Sequence, residues 1–191
     1  MTMSPERAGL PLLTLDFDGV ICRPPFGRNV GIHRTFLDPA APPPEATLYP
    51  RWLNDALDHL RFDLRGPMPG VAEALRALRE VRRLTIVTGR RSSPRSWLRW
   101  HGLEGFVDGI VVNDTALKSP HFKLRTLGAL HADEHIDDDP RTAQLLAQAS
   151  STRVYLCDWP RNRDLPYDPR VERVRDLRAL AERLTGTSAA H

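Results

Sequence analysis

The chain has 191 residues, 41% of them hydrophobic, and its 27 basic residues nearly balance 24 acidic ones, so that the formal charge is +3. This composition favours one globular domain with a sizeable core. The sequence holds no Lys/Arg block and no apolar run of membrane-spanning length, which argues against a nucleic-acid-binding stripe and a membrane protein. Because it has only two cysteines, Cys22 and Cys157, and no apolar secretory segment before the first predicted strand, we expect a soluble, cytoplasmic protein with reduced thiols.

Short apolar runs that end in polar residues recur along the chain. They predict strands over 12–18, 83–89, 106–114, 132–139 and 153–158. Amphipathic patterns predict helices over 69–81, 93–103, 123–130, 140–150 and 174–184. The alternation indicates an α/β fold, with a Rossmann-like parallel sheet and helices on both faces. Ligands of such sheets bind at the carboxyl ends of the strands.

Residues 22–66 interrupt the alternation. This segment holds seven of the 17 prolines and a helical pattern over 49–64. It is too small for a core of its own, so it is interpreted as a small cap-like insertion after the first strand. We therefore predict a single domain over 10–184 with this insertion, and flexible termini at 1–9 and 185–191.

Acidic residues follow two of the predicted strands. Asp16 and Asp18 end the first strand and precede Gly19, which would let the backbone approach a ligand, and Asp137 and Asp138 end the fourth. Carboxylates gathered in this way repel one another and resist desolvation unless a cation neutralises them. Mg²⁺, a hard cation that prefers oxygen ligands, fits this pattern best.

Groups suited to an anion occur at neighbouring strand ends. Thr88 and Gly89 end the second predicted strand and offer a hydroxyl and a flexible amide. Lys118 and Lys123 are the only lysines of the chain, and either could place a positive charge beside a phosphate. Together with the aspartates, these groups suggest phosphoryl transfer to an aspartate nucleophile, followed by hydrolysis of the aspartyl phosphate.

These motifs occur in a familiar order: DFDGV at 16–20, TG at 88–89, a lysine at 118 or 123, and IDDDP at 136–140. The chain thus resembles the haloacid dehalogenase (HAD) superfamily of phosphohydrolases. The resemblance implies that Asp16 is the nucleophile and that Asp18 protonates the leaving oxygen and later activates water. It also implies that Thr88 binds the phosphoryl group and that Lys123, the favoured lysine, steadies its charge.

The same resemblance implies a magnesium site. Asp16, Asp138 and the backbone carbonyl of Asp18 would hold Mg²⁺, with Asp137 as a secondary, water-mediated contact. We assign substrate binding to Gly89, Arg90 and Lys118.

A finer resemblance is to the 5'(3')-deoxyribonucleotidase branch. It rests on PMPGVAEALRAL at 67–78, RLTIVTGR at 83–90, HIDDDPRTA at 135–143 and LCDWPRNR at 156–163. The stretch ICRPPFGRNVGI, which follows Val20, departs from that branch.

The function expected from the sequence is a Mg²⁺-dependent phosphomonoesterase, a HAD-type phosphatase acting through an aspartyl phosphate, with nucleoside monophosphates as the leading substrates. The alternatives are a phosphatase for sugar phosphates or other small phosphoesters, and a non-catalytic HAD-fold module that binds phosphate or regulates a partner. The expected partner is a small phosphoester, with no membrane or nucleic acid involved. The sequence leaves open a homodimer, the choice between the two lysines and whether residues 22–66 cover the site.

Overall fold

The computed structural model describes residues 5–24, 35–43 and 65–186. The helix predicted over 49–64 lies outside the described residues. Six strands form one sheet in which every neighbouring pair is parallel, in the order β3-β2-β1-β4-β5-β6. The strands are β1 (Leu12–Leu15), β2 (Arg83–Thr88), β3 (Gly109–Val112), β4 (Glu134–Asp137), β5 (Arg153–Cys157) and β6 (Val171–Val174). The predicted Rossmann-like α/β class is thereby confirmed.

Helices cover both faces of this sheet. They are α1 (Pro5–Ala8), α2 (Val71–Val81), α3 (Arg95–Trp100), α4 (Ser119–Leu130), α5 (Pro140–Ala149) and α6 (Leu177–Thr185), with short 3₁₀ turns at Glu104–Phe106 and Pro160–Asn162. In the described part of the chain, no helix has the length and apolar character needed to cross a membrane.

The buried side chains form one core on each face of the sheet. Leu13 and Leu15 of β1 belong to the cluster that includes Leu75 of α2 and Leu180 of α6. Leu12, on the other face, belongs to a second cluster with residues of α4 and α5. Successive residues of a strand point to opposite faces, so a central strand with helices on both sides is mostly apolar, and Thr14 is the one polar residue of β1.

The strand order reverses at β1, which pairs with β2 on one side and with β4 on the other. The crevice beyond the carboxyl ends of strands at such a reversal is the usual ligand site of open α/β sheets. In this chain β1, β2 and β4 end at Leu15, Thr88 and Asp137, so the residues that follow them line the crevice.

The structure differs from the sequence-based expectations at β6, at α4 and at residues 5–8, besides differences in where other elements begin and end. Strand β6 was not predicted, because Val171–Val174 has only four residues, two of them charged. Helix α4 begins at Ser119, four residues before the predicted start, so that Lys123 lies in its second turn. Residues 5–8, within the segment predicted to be flexible, form α1, and the Arg7 side chain pairs with Asp108 at 2.9 Å.

Candidate active site

A tight loop follows β1 and presents the first two aspartates. The strand ends at Leu15, earlier than predicted, so Asp16 and Asp18 lie in the loop. The carbonyl of Phe17 accepts hydrogen bonds from the amides four and five positions later, Ile21 and Cys22. Gly19 has a φ of 77°, a conformation that side-chain-bearing residues rarely adopt, and its amide donates to the Cys22 carbonyl at 2.8 Å.

The buried ammonium of Lys123 joins two of the strand ends. Its Nζ lies 2.7 Å from Asp16 Oδ1, after β1, and 2.7 Å from Asp137 Oδ2, in β4. Burial disfavours the charged ammonium, but the carboxylates of Asp137 and Asp16 outweigh it and raise the pKa of Lys123. Lys118 is exposed and lies at the N-terminal end of α4. The structure therefore brings Lys123, rather than Lys118, to the aspartates.

Both oxygens of Asp137 are engaged by the protein itself. Oδ2 accepts from Lys123 and lies 3.0 Å from His135 Nε2, while Oδ1 accepts from the amides of Asp138 and Asp139 at 2.8 and 2.9 Å. Burial acts to raise the pKa of Asp137, but Lys123 and His135 lower it below its usual range. Asp137 is thus held ionised beneath the site by its neighbours.

Asp16, Asp137 and Asp138 form a compact acidic cluster. One carboxylate oxygen from each lies within 4.8 Å of the others, and all three residues are buried. Burial raises the pKa of Asp16 to about 7 against the charge of Lys123. Burial also raises the pKa of Asp138, and repulsion from Asp16 and Asp137 adds to this. A cation bound here would relieve that repulsion, so the donor set fits a hard divalent metal ion.

Two arginines hold Asp18. Arg90 binds it through two nitrogens, with Nε 2.7 Å from Oδ2 and Nη2 2.7 Å from Oδ1, and Arg65 also pairs with Oδ1. Burial acts to raise the pKa of Asp18, but the hydrogen bond and charge of Arg90, together with Arg65, lower it. The Arg90 guanidinium lies 4.5 Å from the centre of the Phe17 ring, a cation–π contact that fixes it further.

The turn after β2 lies against the start of α4. Thr88 is buried, and its Oγ1 is 3.3 Å from the amide of Arg90. A Cβ placed on Gly89 would lie 2.3 Å from Oγ and 2.6 Å from Cβ of Ser119. Only glycine therefore fits at position 89, and its lack of a side chain lets α4 approach close enough to deliver Lys123.

The loop after β5 forms hydrogen bonds with the backbone of the two segments that carry the aspartates. Asn162 Nδ2 donates to the carbonyl oxygens of Asp138 and Cys157 at 3.1 and 2.8 Å. Trp159 Nε1 lies 3.2 Å from the carbonyl oxygen of Gly19, so this loop also contacts the loop that carries Asp16.

Among the predicted site residues, the structure brings together Asp16, Asp18, Thr88, Arg90, Lys123, Asp137 and Asp138. Gly89 and Lys118 line a neighbouring pocket instead. Sequence reasoning missed Arg65, which lies 47 positions from Asp18, and nothing in its local pattern signals the contact. Asn162 lies within LCDWPRNR at 156–163, but the sequence does not predict that its side chain binds the backbone of Asp138.

Comparisons with known proteins place the fold. No protein-family model matches the sequence, and a search of the curated proteins finds no match either. Solved structures do match. A HAD-superfamily hydrolase of subfamily IA from Geobacter sulfurreducens is 17% identical, with a TM-score of 0.57 over 92% of this chain and 96% of its own. A haloacid dehalogenase-like hydrolase from Streptococcus pneumoniae is 15% identical, with a TM-score of 0.59 over 91% and 98%.

A 2-haloacid dehalogenase from Pseudomonas syringae is also similar, at 14% identity and a TM-score of 0.56, covering 94% of this chain and all of its own. At these identities the likeness concerns the fold. The chain therefore has the HAD-like α/β fold, and its structural neighbours are hydrolases of the HAD superfamily.

Proposed function

We propose that this protein is a Mg²⁺-dependent phosphomonoesterase that forms an aspartyl phosphate on Asp16. The observation that carries the proposal is the position of the Asp16 carboxylate, which is paired with Lys123 at 2.7 Å and clustered with Asp138 at the reversal of the strand order. A nucleophile, a fixed cation and a group suited to a metal ion are thus assembled at one strand end, as phosphoryl transfer requires.

We assign the metal ion to Asp16, Asp138 and the backbone carbonyl of Asp18. Asp137 already accepts four hydrogen bonds, so we assign it the secondary role of holding Lys123 and the backbone of Asp138 and Asp139. When bound, Mg²⁺ supplies positive charge that stabilises the oxygens of the phosphoryl group during transfer.

The first half of the reaction forms the covalent intermediate. Lys123 holds Oδ1 of Asp16, and the other carboxylate oxygen attacks phosphorus while the bond from phosphorus to the alcohol oxygen breaks. The hydroxyl of Thr88 donates to a phosphoryl oxygen, and Lys123 balances the negative charge that develops. Once its ion pairs with the arginines open, burial favours the neutral acid, so Asp18 binds a proton from solvent. It then gives this proton to the departing oxygen, so that the alcohol leaves neutral.

The second half returns the enzyme to its starting state. Asp18, now a carboxylate, takes a proton from the water that attacks the phosphorus of the aspartyl phosphate, which releases inorganic phosphate and regenerates the Asp16 carboxylate. Asp18 reaches the reacting atoms only when its ion pair with Arg90 opens. The phosphoryl group of the substrate then replaces the Asp18 carboxylate as the anion that Arg90 binds.

The resemblance to deoxyribonucleotidases remains a prediction, and nucleoside monophosphates enter the proposal as one group of a substrate panel, beside sugar phosphates and other small phosphoesters. Among the structural neighbours, a candidate phosphoglycolate phosphatase from Lactobacillus plantarum, 17% identical with a TM-score of 0.58, also has a name consistent with phosphoester hydrolysis. A non-catalytic phosphate-binding module is the second hypothesis, but such a module has no need of Asp18.

The proposal is tested with p-nitrophenyl phosphate, with Mg²⁺ present or removed by EDTA. We expect turnover by the wild type that requires Mg²⁺ and is lost in Asp16→Asn. Asp114→Asn is the matched control, because Asp114 is an exposed aspartate outside the acidic cluster. Turnover in Asp16→Asn equal to wild type, or no metal-dependent turnover of any phosphoester, would overturn the proposal.

A further inference from the structure

A pocket of about 350 Å³ opens beside the phosphoryl site, at the residue that follows Thr88. The polar side chains that line it, beside Gly89 and three apolar residues, are Arg91, Asn113, Lys118, Ser119 and Arg141. Three of these are cations, and among the described residues that line the pocket none is acidic and none is aromatic. The described part of the pocket is thus suited to negative charge and offers no aromatic ring on which a nucleobase could stack.

Two of the cations form no ion pair with a carboxylate among the described residues. Arg91 donates through Nη1 to the carbonyl oxygens of Thr115, at 2.9 Å, and Asn113, at 3.4 Å, so it is positioned by dipoles rather than neutralised. In the part of the chain that the structure describes, no carboxylate forms an ion pair with Lys118. Arg141 is different, since it pairs with Asp139 at 3.1 Å.

The position of the pocket relates it to the reaction. Gly89 lines the pocket and directly follows Thr88, the residue assigned to the phosphoryl group, while Ser119 packs against Gly89 at the start of α4. Helix α4 continues to Lys123, which binds Asp16. A molecule whose phosphoryl group lies against Asp16 and Thr88 therefore has the pocket beside that group.

We infer that the substrate is a phosphomonoester whose leaving group carries a second anionic group, a carboxylate or a phosphate, which binds Arg91 and Lys118. This inference rests on the proposed function and narrows its substrate class. A fork of guanidinium donors and a nearby ammonium recognise either anion through charge-assisted hydrogen bonds. A neutral alcohol would leave both cations without a counter-charge in the complex.

Two pairs of substrates isolate the second anion. 3-Phosphoglycerate and glycerol 3-phosphate differ only in a carboxylate against a hydroxymethyl group, and glucose 1,6-bisphosphate and glucose 6-phosphate differ in a second phosphate. We expect kcat/KM to be about tenfold or more higher for the anionic member of at least one pair, as the loss of a hydrogen bond to a charged group predicts. The pair with the larger ratio identifies the anion.

Variants then assign the effect to the pocket. In Arg91→Gln and in Lys118→Gln the ratio within that pair should fall several-fold toward one. In Arg125→Gln the ratio should stay as in the wild type. Arg125 is an exposed cation of α4, the helix that Lys118 precedes, and it does not line the pocket. Lys118 is exposed, so Lys118→Gln carries the test if Arg91→Gln fails to fold.

The failure of this inference and that of the proposed function are distinguishable. If p-nitrophenyl phosphate is hydrolysed with Mg²⁺ but neither pair shows a preference for the anion, or the ratio survives in Lys118→Gln, the pocket assignment alone is wrong. Nucleoside monophosphates preferred over every anionic probe would also overturn it. If no phosphoester is hydrolysed at all, the proposed function fails and the inference fails with it.

Discussion

Lys123 donates to Asp16 across 2.7 Å, and this ion pair joins helix α4 to the loop that follows β1. Both side chains are buried, and the same ammonium also holds Asp137. Removal of one partner of such a group leaves uncompensated charge in the interior, which is far more costly than the loss of a surface pair.

Replacement of Lys123 by methionine should therefore lower both stability and turnover. We expect Lys123→Met to lose about 3 kcal/mol of unfolding free energy and about two orders of magnitude or more in kcat. Urea denaturation and hydrolysis of p-nitrophenyl phosphate measure the two effects. Lys118→Met is the control for stability, because an exposed substitution changes it by only about 0.5 kcal/mol. Equal stability of the two variants would contradict the account.

Arg90 should act by binding the phosphoryl group of the substrate when its ion pair with the Asp18 carboxylate opens. Its two nitrogens bind both oxygens of that carboxylate, a geometry that an ammonium cannot reproduce. We expect kcat/KM for p-nitrophenyl phosphate to fall about tenfold or more in Arg90→Met, and Arg90→Lys to recover only part of the loss. Wild-type rates in Arg90→Met would show that this contact has no part in the reaction.

Gly89 should not accept even one methyl group. In Gly89→Ala the new Cβ would lie 2.6 Å from Ser119 Cβ, so α4 must shift, at a cost of about 1–3 kcal/mol. Gly128→Ala, on the same helix, has nothing within 4 Å of the new atom and should instead stabilise the protein by about 0.5–1 kcal/mol. Thermal unfolding compares the two. If both substitutions stabilise the protein, the close packing at Gly89 is not a constraint.

The two cysteines should be inert in the folded protein. Both are buried and free. Burial raises the pKa of Cys22 to about 11 and that of Cys157 well above its usual value, so the reactive thiolate is scarce at neutral pH. We expect slow labelling by Ellman's reagent at neutral pH and rapid labelling of both thiols in denaturant. Rapid labelling of the native protein would contradict the packing of these residues.

The sequence was sufficient to predict the fold class, because the apolar strand runs and the helical periodicities agree with a parallel sheet. It also indicated which residues meet at the site, because polar side chains at strand ends of one sheet converge. It could not predict β6, which is short and half charged, or the contact of Arg65 with Asp18, which depends on how the segment before Gly66 returns to the sheet.

Which lysine contacts the aspartates is another feature that local sequence patterns did not decide. Lys118 and Lys123 are five positions apart, and the sequence left open which of them meets the aspartates. The start of α4 at Ser119 settles their placement, since it leaves Lys118 exposed and turns Lys123 into the interior. Pro120 in the first turn is compatible with that start, and Ser119 also packs closely against Gly89, a tertiary contact that no local pattern reveals.

The central claim is that Asp16 becomes phosphorylated. Acid quenching during turnover of p-nitrophenyl phosphate with Mg²⁺, followed by peptide mass spectrometry, tests it most directly, because p-nitrophenolate leaves without a proton from Asp18. We predict a phosphoryl adduct on Asp16 in the wild type that is absent from Asp16→Asn and accumulates in Asp18→Asn, where water is not activated. Turnover with no adduct on Asp16 in either the wild type or Asp18→Asn, or hydrolysis of a 2-haloacid but of no phosphoester, would contradict the account.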